Sequence, residues 1–180
     1  MVSYNLVQGL RAYPDLDLHV VHCHPDVSRD RVERDGNVTL HFLAMSRKRI
    51  VPNLVTRIGR VLKVIRAINP DLVHAHTADY VYAAARSGRP MIYTIYGVVH
   101  RERQIYTDTL FDRLRFWLLS YFESYSLPRA NHLVASSPYV LREYAHIKQV
   151  PWVCIENPMP QSFFELRDRA EEGRILSVAS

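Results

Sequence analysis

The strongest constraint on this chain is an alternation. Short, almost wholly apolar runs of strand length are separated by segments in which apolar residues recur at helical spacing. The runs are "DLDLHVVHC" (Asp15 to Cys23), "NVTLHFLA" (Asn37 to Ala44), "PDLVHAH" (Pro70 to His76), "PMIYTIYG" (Pro90 to Gly97), "ANHLVASS" (Ala130 to Ser137) and "PWVCIEN" (Pro151 to Asn157). Near-continuous hydrophobicity is what a strand needs when both faces of its sheet are covered, which is the situation of a parallel sheet.

Between the second and third runs, Leu54, Val55, Ile58, Leu62, Ile65 and Ile68 repeat at helical spacing, with Arg57, Arg60, Lys63 and Arg66 off that stripe. A short helix is predicted from Ala78 to Ser87, ending near Gly88. A longer one is predicted from Asp108 to Leu127, with Leu110, Leu114, Trp117, Leu118 and Tyr121 as its stripe. Ser137 followed by Pro138 is a helix start, the hydroxyl accepting an orphan amide and proline fitting the first turn. Strands alternating with helices predict the α/β class: a Rossmann-like, doubly wound and mostly parallel sheet.

In such sheets ligands collect at the carboxyl ends of the strands. His22 and His24, the stretch from His74 to Asp79, the stretch from Thr94 to His100, and Ser136 with Ser137 all fall at predicted strand ends. His74 and His76 lie two apart and so share a face, but no third ligand follows at metal-like spacing, and no metal site is assigned. Ser136 and Ser137 read as helix caps rather than nucleophiles. For His76 a site role and a structural role stay open, and Asp79 has a competing role in stabilising a helix N-terminus. Gly97 reads equally as a turn residue.

The 180 residues carry 48% hydrophobic and 23% charged side chains, which fits a globular domain and excludes a disordered or fibrous class. No apolar run approaches membrane-spanning length and no signal-peptide pattern opens the chain, so a cytoplasmic location is expected. Cys23 and Cys154 fall in separate predicted strands without CxxC spacing and read as buried, reduced thiols. The net charge of +5 favours anionic partners without choosing among them. No GxGxxG, P-loop or nucleophile elbow is present.

"NPDLVHAHTADYVYAAA", "RPMIYTIYG", "ANHLVASSPYVLREY", "VPWVCIENPMPQSFF" and "GRILSVAS" together resemble, in order and spacing, the N-terminal half of group 1 (family 4) GT-B glycosyltransferases. The resemblance implies residues 1–160 as an acceptor-binding Rossmann-like domain, and 161–180 as a linker with the first strand of a donor domain. It also implies that the first strand of the N-terminal domain and most of the donor domain are missing, which leaves the chain incomplete as an enzyme. The implied chemistry is sugar transfer from a nucleotide-sugar with retention, without a cofactor or metal, the nucleotide-sugar being a co-substrate.

Site candidates follow from the same resemblance. His76, Thr77 and Asp79 would line the sugar pocket. Tyr96 stands where the family's "TxHG"-like motif often has histidine, so His76 and Tyr96 are the catalytic candidates. Gly97, His100, Arg101 and Arg103 complete the substrate-binding set, the arginines suited to an anionic acceptor. Expected partners are the donor and a sugar or lipid-linked acceptor, with no nucleic acid. Arg47 to Arg49 with the cations from Arg57 to Arg66 would dock on an anionic inner membrane face. The alternatives are a non-catalytic binding module or subunit needing a partner with the donor half, and a GT-B sugar-nucleotide epimerase.

Overall fold

The computed structural model describes residues 2–45, 52–105 and 108–165, together with Arg167 and Gly173. Arg47 to Arg49 and the stretch 174–180, read above as basic docking residues and a donor-domain strand, lie outside the described residues. The elements run α1 (Val2–Leu10), β1 (Leu18–His24), β2 (Arg31–Asp35), β3 (Val38–Ala44), α2 (Pro52–Ile68), β4 (Val73–Ala75), α3 (Ala78–Ser87), β5 (Met91–Ile95), α4 (Val99–Ile105), α5 (Leu110–Ser126), β6 (His132–Ala135), α6 (Pro138–Glu143), β7 (Trp152–Cys154) and α7 (Gln161–Phe164).

Four strands form a wholly parallel sheet in the order β4-β5-β6-β7, with Val73 beside Met91, Tyr93 beside Leu133 and Ala135 beside Cys154. β5 lies inside this sheet, and Met91, Tyr93, Thr94 and Ile95 are buried, which accounts for the unbroken apolar run in the sequence. The parallel α/β architecture is therefore present, but the strands do not all join one sheet. β1 pairs in parallel with β3, and β3 pairs with β2 in an antiparallel hairpin, giving a second sheet of three strands.

β2 has no apolar run because every one of its residues is exposed. It is joined to β3 through Gly36, whose φ of 60° is a left-handed conformation that glycine adopts without cost in a tight hairpin.

β1 and β4 are edges of their sheets. One outward amide of β1 is satisfied from α3: the Cys23 N–H donates to the Tyr80 hydroxyl at 2.9 Å. Burial raises the Tyr80 phenol to about 12, so it stays a neutral partner across the physiological range. Tyr80→Phe should leave that amide unpaired and destabilise the protein by about 1–3 kcal/mol, measurable by denaturant unfolding. An unchanged midpoint would show that the bond contributes nothing.

α2 buries Ile58, Val61 and Ile65, with Leu62 partly covered, whereas Val55, assigned to the stripe above, is exposed. Val61 is the most buried of them because the contact stripe of a 3.6-residue helix is wider than one row. α3 packs against both α2 and α5. It ends at Gly88, whose φ of 77° provides a left-handed C-cap.

α5 reverses the expectation. Leu110, Leu114, Trp117 and Tyr121 face outward and Leu118 alone of the predicted stripe packs partly against the core, while Phe116, Phe122, Glu123 and Ser126 are buried. The helix is apolar on both sides, so periodicity cannot choose the inward one. The choice falls to the side whose glutamate finds partners: Tyr93 donates to Glu123 Oε1 at 3.0 Å and Tyr144 to Oε2 at 2.8 Å. Cys23 is buried as expected, but Cys154 is exposed because it lies on β7, the edge strand.

Candidate functional site

The carboxyl ends of parallel strands share one rim of the sheet. At the rim formed by β4 and β5, the two strands present side chains two residues apart that meet in rungs. His74 Nε2 lies 2.7 Å from Thr94 Oγ1, and His76 Nδ1 lies 2.9 Å from the Tyr96 hydroxyl. The His74 and His76 rings are 4.3 Å apart centre to centre, and His76 stacks on Tyr96 at 5.7 Å with an interplanar angle of 13°. Strand period and register bring these four residues together, because residues two apart on a strand project from the same face.

The cluster is uncharged at neutral pH. Desolvation, reinforced by the neighbouring His74, holds the His76 imidazole down to about 4. Partial desolvation likewise lowers His74, although it stays exposed on β4, and raises the Tyr96 phenol. A neutral His76 has one ring N–H and one lone pair. If Tyr96 donates to Nδ1, then Nε2–H remains as a donor; the opposite tautomer leaves Nε2 as an acceptor. Either arrangement suits hydrogen bonding to a sugar hydroxyl, and neither supplies positive charge. Each histidine is thus already held by an oxygen partner from β5 or its end, and among the described residues no group of three or more side chains is arranged to hold a metal ion.

Thr77 and Asp79 lie at the start of α3, where Thr77 stands in the N-cap position. The Thr77 hydroxyl donates to Asp79 Oδ1 at 2.7 Å instead of capping the helix amides, and Asp79 Oδ2 accepts from Arg57 Nη1 at 2.7 Å. Asp79 is buried with both oxygens engaged, so its side chain fastens α2 to the first turn of α3 beneath the rim. Thr77 is the exposed member of the pair.

Gly97 follows Tyr96 and has no left-handed φ, and its nearest neighbour is the tip of a flexible side chain. A Cβ there would come within 2.6 Å of the Glu102 Oε1 atom. Glu102, in the first turn of α4, is therefore a rim carboxylate that motif reading missed. His100 and Arg101 converge on Glu143 of α6: His100 Nε2 lies 3.2 Å from Oε2, and Arg101 Nε donates to the same oxygen at 2.9 Å. These contacts hold Glu143 below the usual carboxylate range, the Arg101 bond contributing most. Arg103 is exposed, and among the described residues no carboxylate pairs with it. Glu102 and Glu143 carried no sequence signal, since each acts through a neighbour that only the fold supplies, while Thr94, placed at a strand end by its sequence position, finds its partner His74 only in the fold.

Ser137 accepts from the Val140 amide at 3.4 Å with Pro138 in the first turn, the capping role expected of it. His22 and His24 stack on each other at the end of β1. A cavity of about 320 Å³ opens elsewhere, lined by Tyr4, Val7, Val20, His22, Leu40 and Phe42 among others. It lies between α1 and the three-stranded sheet and is almost wholly apolar, so the histidine–tyrosine rim carries the polar chemistry.

The cationic face predicted on α2 is largely consumed within the fold. Arg57 pairs with Asp79, Arg60 binds Asp30 and the Ala44 carbonyl, and Arg66 donates to the Arg86 carbonyl at 3.3 Å. Of the cations named there, Lys63 alone is exposed without a partner among the described residues.

No curated protein matches the chain at a significant level. The family model described as Glycosyltransferase Family 4 matches residues 1–160, which span the parallel sheet and the whole strand-end rim. With a parallel α/β sheet of the expected kind and a family match over most of its length, the chain belongs to glycosyltransferase family 4.

Proposed function

We propose that residues 1–160 form the acceptor-binding half of a retaining, nucleotide-sugar-dependent glycosyltransferase, the donor being held mainly by residues outside that span. The observation that carries this reading is the neutral, hydrogen-bonded His76–Tyr96 pair at the strand ends. Loss of a diphosphate leaving group needs cations or oriented dipoles near the phosphates. An uncharged histidine and a phenol do not supply them, but they orient sugar hydroxyls well, and correct positioning is itself a large part of such catalysis. His76 and Tyr96 thus align the reacting sugar, Thr77 and Gly97 border it, and His100 with Arg103 meets the acceptor. Arg101 is tied to Glu143 and acts by fixing α4 rather than as a free charge.

The test is titration of the chain with a panel of saccharide acceptors and, separately, nucleotide-sugars, followed by histidine NMR and calorimetry. An acceptor should perturb His76, and His76→Ala should weaken its binding about tenfold, the value of one well-placed hydrogen bond to a buried partner. Tyr96→Phe should produce a smaller loss. Tight binding of a nucleotide-sugar to residues 1–160 would overturn the division of labour, as would acceptor binding indifferent to His76→Ala.

A further inference from the structure

The outward face of α5 is the largest feature that the sugar-transfer reading leaves unused. At 100° per residue, Leu110, Leu114, Trp117 and Tyr121 fall within one narrow stripe that runs about 17 Å along the helix. Their exposures are 81%, 43%, 49% and 49%, so the stripe is unpartnered along its whole length. Phe111 and, at the end of α4, Ile105 add exposed apolar surface near its start. Isolated exposed apolar residues are ordinary, but a contiguous row containing tryptophan and tyrosine is not.

The charges beside the stripe are mainly cationic, with Asp108 exposed just before the helix start. Arg113 flanks it, and the acidic residues of α5, Asp112 and Glu123, lie on the opposite side of the helix. Asp112 is further engaged by the Thr109 hydroxyl at the helix start, and Glu123 is buried. Toward the other end the aromatic row continues from Trp117, stacked on Tyr121, to Tyr82 and Tyr125. Arg86 and Arg129 lie over those last two rings, 5.8 and 3.7 Å from their centres. Amphipathic rings beside arginines, with no carboxylate among them, match the boundary of a bilayer carrying anionic lipids, where rings sit at headgroup level and cations meet phosphate. No described helix is long and apolar enough to cross a membrane, so the fitting geometry is a helix lying in the interface plane.

We infer that α5 is a membrane-docking helix, which seats Leu110, Leu114, Trp117 and Tyr121 in the interface of an anionic bilayer with Arg113 at the phosphates. This moves the membrane contact from α2, whose arginines are occupied within the fold, to α5. The inference does not rest on the sugar-transfer reading, and its test needs neither donor nor acceptor, so either can fail alone.

The experiment is flotation of the protein with vesicles of phosphatidylcholine alone and of phosphatidylcholine mixed with phosphatidylglycerol. The wild type should float with the mixed vesicles and much less with the neutral ones, and added salt should weaken the binding. The double variant Leu114→Glu/Trp117→Glu changes only exposed positions, and a melting transition matching the wild type confirms its fold. It should bind the mixed vesicles at least tenfold more weakly, because it removes two buried apolar anchors and adds charge opposed to the lipid. Lys63→Glu on α2 should bind like the wild type. Absence of wild-type flotation overturns the inference, as does a double variant that floats undiminished, or loss of binding in Lys63→Glu alone. Self-association that the double variant abolishes, without flotation of the wild type, overturns it in favour of a protein-docking face.

Discussion

Asp79→Ala is expected to destabilise the protein by about 3 kcal/mol, the lower end of what removing one partner of a buried ion pair costs. Asp79 is almost fully buried and Arg57 is about a quarter exposed. The alanine variant therefore leaves a largely covered guanidinium with no counter-charge, and leaves the Thr77 hydroxyl without its acceptor. Partial access of Arg57 to solvent keeps the penalty from being larger. Asp79→Asn preserves an acceptor for either neighbour and should cost less. Arg57→Met/Asp79→Asn, which removes the stranded charge, should recover part of the loss. Denaturant unfolding of the three variants measures this, and a penalty below about 1 kcal/mol for Asp79→Ala would show that the pair is not an effective brace between α2 and α3. If the brace matters for the site, the alanine variant should also loosen His76, because α3 begins two residues after it.

The second large effect is a pH dependence in which two groups oppose each other. Glu123 is raised to about 7 by burial, even though Tyr93 and Tyr144 both donate to it; Glu102 adds to the rise. A carboxyl whose folded value lies above its ordinary one binds protons more readily in the folded state. Its contribution is therefore complete below about pH 4.5 and is lost as pH rises toward 7, a change of about 3 kcal/mol. His76 has the opposite sign. Its value is depressed to about 4, so the folded state disfavours the proton, and stability falls as the solution is acidified below the ordinary histidine range near 6.5.

With His22, His41 and His74, also lowered by desolvation, on the side of His76, these two slopes oppose each other between about pH 4.5 and 6.5. Glu123→Gln removes one of them. Its stability should fall on acidification through that window, by roughly 2–3 kcal/mol, while near pH 8 it should equal or exceed the wild type because no buried charge remains. His76→Gln should shift the profile the other way, gaining stability relative to the wild type on acidification. Unfolding midpoints of both variants across this range are the measurement. Parallel wild-type and Glu123→Gln profiles would mean that Glu123 titrates like an exposed carboxyl.

The same glutamate shows where sequence reading stops. The four parallel strands from Val73 to Cys154 were legible because strands covered on both faces must be apolar at every position, and no other demand interferes with that signal. The end of α3 at Gly88 and the cap at Ser137 were legible because each depends on a conformation or bond made within a few residues. The inward face of α5 was not, because the deciding interactions come from Tyr93 and Tyr144, which are distant in sequence. A buried glutamate with two hydroxyl donors has the same one-letter code as a solvated one.

The strand-end site divides along the same line. His76, Tyr96 and Gly97 were placed at a common rim by the strand-end rule, with His76 and Tyr96 named separately. Their direct hydrogen bond needed the register of β4 against β5, and so did the rung between His74 and Thr94. Arg57, Arg60 and Arg66 read as a free cationic face because opposite charges within reach, Asp79 and Asp30, are contributed by other elements. The sequence by itself determined the α/β alternation, the positions of the strand ends and the family, since all three are written in local hydrophobic pattern and ordered motifs. Only the tertiary structure decided that the strands split into two sheets, which charges are already neutralised, and which face of α5 is left to meet a partner, because each of these is settled by contacts between residues far apart in the chain.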